Sequence, residues 1–197
     1  IYAGLDGFPL DLLHERGCVV TNGKGINAIT IAEYVVMGML TIAKGWREVV
    51  RAQERREWLQ ASPGRMEPAE SRALLIGYGA IGQLIETRLA AFDVAVDVVR
   101  QNPGPGQLGT GEWRARLDDY DWIILALPAT HATVAMIGAA ELAAMKSTAQ
   151  IVNIARGSII DTDALVAALD ARTIGGAFLD VTDPEPLPDD HVLWAFD

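Results

Sequence analysis

From about residue 72 the chain alternates short apolar, β-branched runs with segments of helical periodicity, and few folds accommodate that rhythm. The runs are Ala73 to Ile76, Val94 to Val99, Trp122 to Leu127, Gln150 to Ile154 and Ile174 to Leu179. They are apolar nearly throughout instead of alternating, as strands buried on both faces of a parallel sheet must be. Helices are predicted over Ile81 to Phe92, Ala139 to Met145 and Asp161 to Leu169, the last opened by Asp161 or Thr162 as N-cap. The expected fold is α/β, a doubly wound parallel sheet of the Rossmann type.

The first seventy residues read differently. Ile29, Ala32, Val35, Val36, Met39, Leu40 and Ala43 fall at helical spacing, which predicts one long helix over Ile26 to Lys44 that runs on into a charged stretch. There Arg47, Arg51 and Arg55 recur every four residues among Glu48, Glu54 and Glu57. That face is either solvated or a subunit contact, the second suggested by the flanking Trp46 and Trp58. Ser62 to Pro68 reads as a connector, and Asn102 to Gly111 as a loop.

Composition narrows the function classes. Half of the 197 residues are hydrophobic, enough for a packed core, and the formal net charge of −10 repels nucleic acid and anionic lipid. Neither is an expected partner. The longest apolar run, Tyr34 to Ala43, is far short of the ~20 residues that cross a bilayer. Cys18 is the single cysteine, so no internal disulfide forms and no thiolate metal cluster is expected, which fits a cytoplasmic setting.

Gly77-Tyr78-Gly79-Ala80-Ile81-Gly82 is a GxGxxG placed between an apolar run and a helix-like segment. In that context Gly77 permits a tight turn, Gly79 admits a pyrophosphate and Gly82 lets helix pack on strand, so dinucleotide binding is expected. The residue that reads the adenosine ribose should lie roughly 20 positions further on, where the chain has Val98-Val99-Arg100. An arginine suits a 2′-phosphate, so NADP is expected over NAD; the alternative is that Arg100 is a surface residue at a strand end. The nearby carboxylate, Asp97, lies inside the strand.

Val152-Asn153-Ile154-Ala155-Arg156-Gly157, then Ile160-Asp161, Gly176 to Val181 and Pro184-Glu185-Pro186-Leu187-Pro188 resemble the signature of the D-isomer-specific 2-hydroxyacid dehydrogenases. Gly4-Leu5-Asp6, Ile31-Ala32-Glu33, Leu127-Pro128 and Met145-Lys146 extend the resemblance along nearly the whole chain. It implies a hydride transfer between NAD(P)H and a 2-keto acid of the glyoxylate or hydroxypyruvate type, and a homodimer. It further implies that residues 1–22 close a substrate domain and that residues 23–197 form most of a cofactor domain with a dimerisation helix and arm. The family's Pro-His pair, whose histidine moves the proton, has no counterpart in the sequence, so a chain of this extent is expected to lack turnover.

The same resemblance assigns roles. Arg156 would grip the substrate carboxylate and polarise its carbonyl, a task for which a planar guanidinium fork is suited, and it also falls among cofactor-contact positions. Glu185 matches the glutamate that pairs with the catalytic histidine, and Ala3 and Gly4 match a loop whose backbone N–H groups hold the substrate carboxylate. Ala80, Ile81, Leu127, Ile154 and Ala155 match cofactor contacts, as does Asp180, which could equally be a turn or cap residue. His14, His131 and His191 read as surface or loop residues, not as the proton donor. A different class remains open, a dinucleotide-sensing interaction protein without turnover; retention of Arg156 and Glu185 favours the enzyme.

Overall fold

The computed structural model describes Gly4, residues 8–64 and residues 66–196. The elements run α1 (Leu10–Glu15), α2 (Ala28–Ala43), α3 (Trp46–Arg55), β1 (Arg72–Ile76), α4 (Ala80–Ala90), β2 (Ala95–Val99), β3 (Trp122–Leu125), α5 (Ala139–Ala144), β4 (Gln150–Asn153), α6 (Thr162–Asp170) and β5 (Gly176–Leu179). The five strands form one fully parallel sheet in the order β2-β1-β3-β4-β5. A single bridge from Val99 to Leu108 adds the trace of a further strand outside β2.

Period-two alternation inside the apolar runs explains why both faces are covered. Ala73, Leu75, Trp122, Ile124 and Val152 face the layer made by α2 and α4. Their neighbours Leu74, Ile76, Ile123, Leu125 and Ile151 face α5, α6 and the loop residues Trp113, Leu117 and Tyr120. The sheet thus presents apolar side chains to both layers, and the doubly wound reading holds.

Several boundaries shift by one or two residues from the sequence reading, and two departures matter for the site. The predicted long helix is two helices, α2 and α3, bent by 66°. Gly45 sits at φ +60, and a Cβ there would lie 2.9 Å from the backbone of Pro63 and Gly64, so the connector crosses at the break and only a glycine lets it through. The third strand stops at Leu125 instead of Leu127. Ala126 still donates to the Ile76 carbonyl at 2.8 Å, after which the chain swings against the turn that follows β1. Among the described residues, no single helix is long and apolar enough to cross a membrane.

Candidate functional site

Parallel strands bring all five carboxyl ends to one edge of the sheet, and the loops leaving them build the site. From β1 comes the glycine turn. Gly77 holds φ +104, and a Cβ on it would stand 2.4 Å from the Ala126 carbonyl oxygen; a Cβ on Gly82 would stand 2.5 Å from the Gly77 oxygen. These two glycines close the turn on β3 and on the first turn of α4. Gly79 is different, because nothing lies within 4 Å of where its Cβ would be. It is the N-cap of α4, with no side chain capping the helix, so the N–H groups of the first turn stay available for an anion. Ala80 and Ile81 form that turn. The cradle fits a pyrophosphate.

A mutation at Gly79 separates this use from folding. Its φ of −88 suits any residue and a Cβ there meets nothing, so Gly79→Val is expected to fold, with only the loss of about 1 kcal/mol that a β-branched N-cap brings. The added methyls occupy the approach to the N–H groups, and dinucleotide affinity should fall about tenfold or more, about 1.4 kcal/mol, in a fluorescence titration.

At the end of β2, Arg100 is exposed and its guanidinium lies 6.0 Å from the centre of the Tyr78 ring. Asp97 takes no part in this edge. It accepts hydrogen bonds from Arg72 (3.0 Å), Arg116 (3.1 Å) and the Tyr120 hydroxyl (2.7 Å) beneath the sheet. Burial, with the bond to Asp97, pushes the Tyr120 phenol far above its ordinary pKa, so at neutral pH it is a donor and Asp97 is its acceptor.

Arg156 leaves β4 through a turn that the sequence did not advertise. Asn153, 1% exposed, accepts from the Ala155 N–H at 3.0 Å and donates to the Arg156 carbonyl at 2.9 Å, stopping the strand and fixing the next three residues. Gly157 then presses on the following loop, since a Cβ on it would lie 2.0 Å from the Thr182 carbonyl carbon and oxygen. Between these clamps the exposed Arg156 side chain emerges at the strand edge, with one guanidinium nitrogen donating to the Ala155 carbonyl at 2.7 Å. Ile154 and Ala155 stay buried beneath it. Asn153→Ala would strip both partners, at a cost of about 1–3 kcal/mol, which thermal denaturation should show as a fall in Tm.

The remaining positions sort by place. Ile154 donates to the Leu125 carbonyl (3.3 Å) and Asp180 to the Asn153 carbonyl (2.9 Å), so Leu127, Ile154, Ala155, Arg156 and Asp180 share one rim. Glu185 is exposed on the loop whose backbone abuts Gly157. Gly4 is half-buried, and Ala3 lies outside the described residues. His14 and His131 are exposed, and His191 accepts the Leu193 N–H through Nδ1 at 3.2 Å. Sequence reasoning gave Asn153 and Tyr78 no role. A polar residue closing an otherwise apolar strand, and an aromatic inside the glycine turn, were the available signals.

A family model, the D-isomer specific 2-hydroxyacid dehydrogenase, NAD binding domain, matches residues 36–197. The chain is 32% identical over 204 residues to glyoxylate/hydroxypyruvate reductase B of Yersinia pestis (strain Pestoides F), covering 98% of this chain and 62% of that protein. The crystal structure of the TT0316 protein from Thermus thermophilus aligns with a TM-score of 0.90 and 32% identity, over 99% of this chain and 63% of that one. An NAD-dependent formate dehydrogenase from Staphylococcus aureus, in complex with NAD, aligns with a TM-score of 0.85 and 29% identity, over 98% and 60% of the two chains. The chain spans less than two thirds of the length of these relatives.

Proposed function

The chain belongs to the D-isomer specific 2-hydroxyacid dehydrogenase family, and from that premise we propose that it is the cofactor-binding part of an oxidoreductase for small 2-keto and D-2-hydroxy acids. The observation that carries this reading is the clamped Arg156 turn on the same sheet edge as the open Gly79 cradle. A nicotinamide dinucleotide supplies the hydride when bound, with its pyrophosphate at Gly79 and the N-terminus of α4. Arg156 holds the substrate carboxylate and polarises the carbonyl as charge develops on its oxygen. Ile154, Ala155 and Leu127 form an apolar floor, and Asp180 a polar wall, for the nicotinamide end. Glu185 is the carboxylate that would orient a proton-carrying imidazole and raise its pKa. Gly4 would present its backbone N–H to the carboxylate.

Glyoxylate or hydroxypyruvate is the proposed substrate, as the name of the Yersinia relative suggests. NADP is the proposed cofactor, because Arg100 offers a cation at the strand end where a carboxylate would favour NAD. The absence of any buried side chain in residues 8–22 supports assigning residues 1–22 to the end of a substrate domain and residues 23–197 to the cofactor domain. A homodimer through α2 and α3 is supported by Ile29, Met37, Trp46 and Trp58, the last 86% exposed. Sedimentation of the intact protein should give a dimer at micromolar concentration; a monomer counts against it. A cytoplasmic location accords with the lone cysteine.

The deciding experiment is steady-state NADPH oxidation by the intact protein with glyoxylate, hydroxypyruvate and larger 2-keto acids. Turnover with a small acid supports the reading. Tight dinucleotide binding without turnover of any acid replaces it with a sensing role.

A further inference from the structure

Tyr78 occupies the place between the first two glycines of the turn. Its ring is half-buried and held at both ends. The hydroxyl donates to the Glu86 carboxylate, two turns along α4 from the helix start, and the ring lies 6.0 Å beneath the Arg100 guanidinium. Three elements therefore converge: the glycine turn, the helix α4 and the end of β2. The Tyr78 ring packs against the core layer of α2 and α4, while Arg100 lies outside that layer and Glu86 is only partly covered.

We propose that Tyr78, anchored by Glu86, is a positioning residue that holds Arg100 ready for the adenosine 2′-phosphate and so sets the preference between the two nicotinamide cofactors. This rests on the dinucleotide reading given above. A surface arginine samples many rotamers, and pairing with phosphate costs that freedom. An aromatic face under the guanidinium restricts it in advance while leaving the outer N–H fork open to the phosphate oxygens. The hydrogen bond to Glu86 does two further things. It fixes the plane of the ring, and by drawing the phenol proton toward a carboxylate it makes the ring face more electron-rich, strengthening its hold on the cation. In agreement, the Glu86 hydrogen bond raises the Tyr78 pKa above its ordinary value, so the phenol stays a donor across the physiological range.

The test compares Kd for NADPH and NADH, and for the probes 2′-AMP and 5′-AMP, in the intact protein and in Tyr78→Leu, Tyr78→Phe, Glu86→Gln and Arg100→Gln. Arg100→Gln should abolish the preference for the 2′-phosphorylated ligand of each pair. Tyr78→Leu should reduce that preference about three- to tenfold, the size of a cation–π contact plus lost preorganisation. Tyr78→Phe keeps the ring and loses the anchor, and should fall between parent and Tyr78→Leu; Glu86→Gln should follow Tyr78→Phe. Since the readout is a ratio within one variant, a general loss of stability does not mimic it. If Arg100→Gln abolishes the preference while Tyr78→Leu and Tyr78→Phe leave the ratio within twofold of the parent, Tyr78 has no positioning role. If the parent protein binds neither dinucleotide, the functional reading falls first, and if Arg100→Gln leaves the ratio unchanged, the cofactor assignment falls.

Discussion

Replacing Arg156 with Gln in the intact protein is expected to lower kcat/KM for a small 2-keto acid about 10³-fold. Two losses combine. The substrate carboxylate gives up a charge-assisted fork, and the carbonyl oxygen gives up the donor that stabilises its growing negative charge, an interaction that alone is worth about 10²–10³ in kcat when one such donor is removed. Arg156→Lys keeps the charge but not the planar fork and should recover only part of the loss. Dinucleotide affinity should move far less than kcat/KM, because the cradle at Gly79 and the first turn of α4 is built from a different loop. Steady-state kinetics with a parallel dinucleotide titration separates the two; equal losses in both would mean that the arginine serves the cofactor and not the acid.

The second large effect is on stability. Gly157→Ala would force a methyl carbon to within 2.0 Å of the Thr182 carbonyl group, and the obstacle is backbone, which cannot rotate aside. The loop from Thr182 to Pro188 is tied down near the same point by the Thr162 hydroxyl, which donates to the Asp183 carbonyl at 2.8 Å, so relief requires moving both. A destabilisation of about 3 kcal/mol is expected, which for a chain of this size lowers Tm by about 10 °C. Glu185 shares that loop, so residual activity in the folded fraction should fall as well. A variant that melts with the parent protein would show that the turn and the loop are not in the contact described.

The edge of the sheet was legible in the sequence because its signals are local. Apolar runs with β-branched residues mark strands, and Gly77, Gly79 and Gly82 sit between one of them and a helix, so their spacing alone places the phosphate cradle. Arg100 was found by counting along the next strand. What escaped depends on partners distant in sequence. The break at Gly45 follows from the approach of Pro63 and Gly64, which helical periodicity does not see. Asp97 reads only as a carboxylate inside the strand, and its partners Arg72, Arg116 and Tyr120 come from other elements. Asn153 reads as a strand residue, and its work, closing the turn that aims Arg156, exists only once Ala155 and the Arg156 carbonyl fold back on it. The same holds for Tyr78, whose neighbours Glu86 and Arg100 come from a helix face and another strand.

The most direct test of the central claim is a crystal structure of the intact protein with NADPH and oxamate, an unreactive analogue of a 2-keto acid. The account expects the pyrophosphate over Gly79 at the N-terminus of α4, and the Arg156 guanidinium within about 3 Å of the oxamate carboxylate on the nicotinamide side. A guanidinium still bound to the Ala155 carbonyl, with oxamate held elsewhere or the dinucleotide away from the glycine turn, would contradict it.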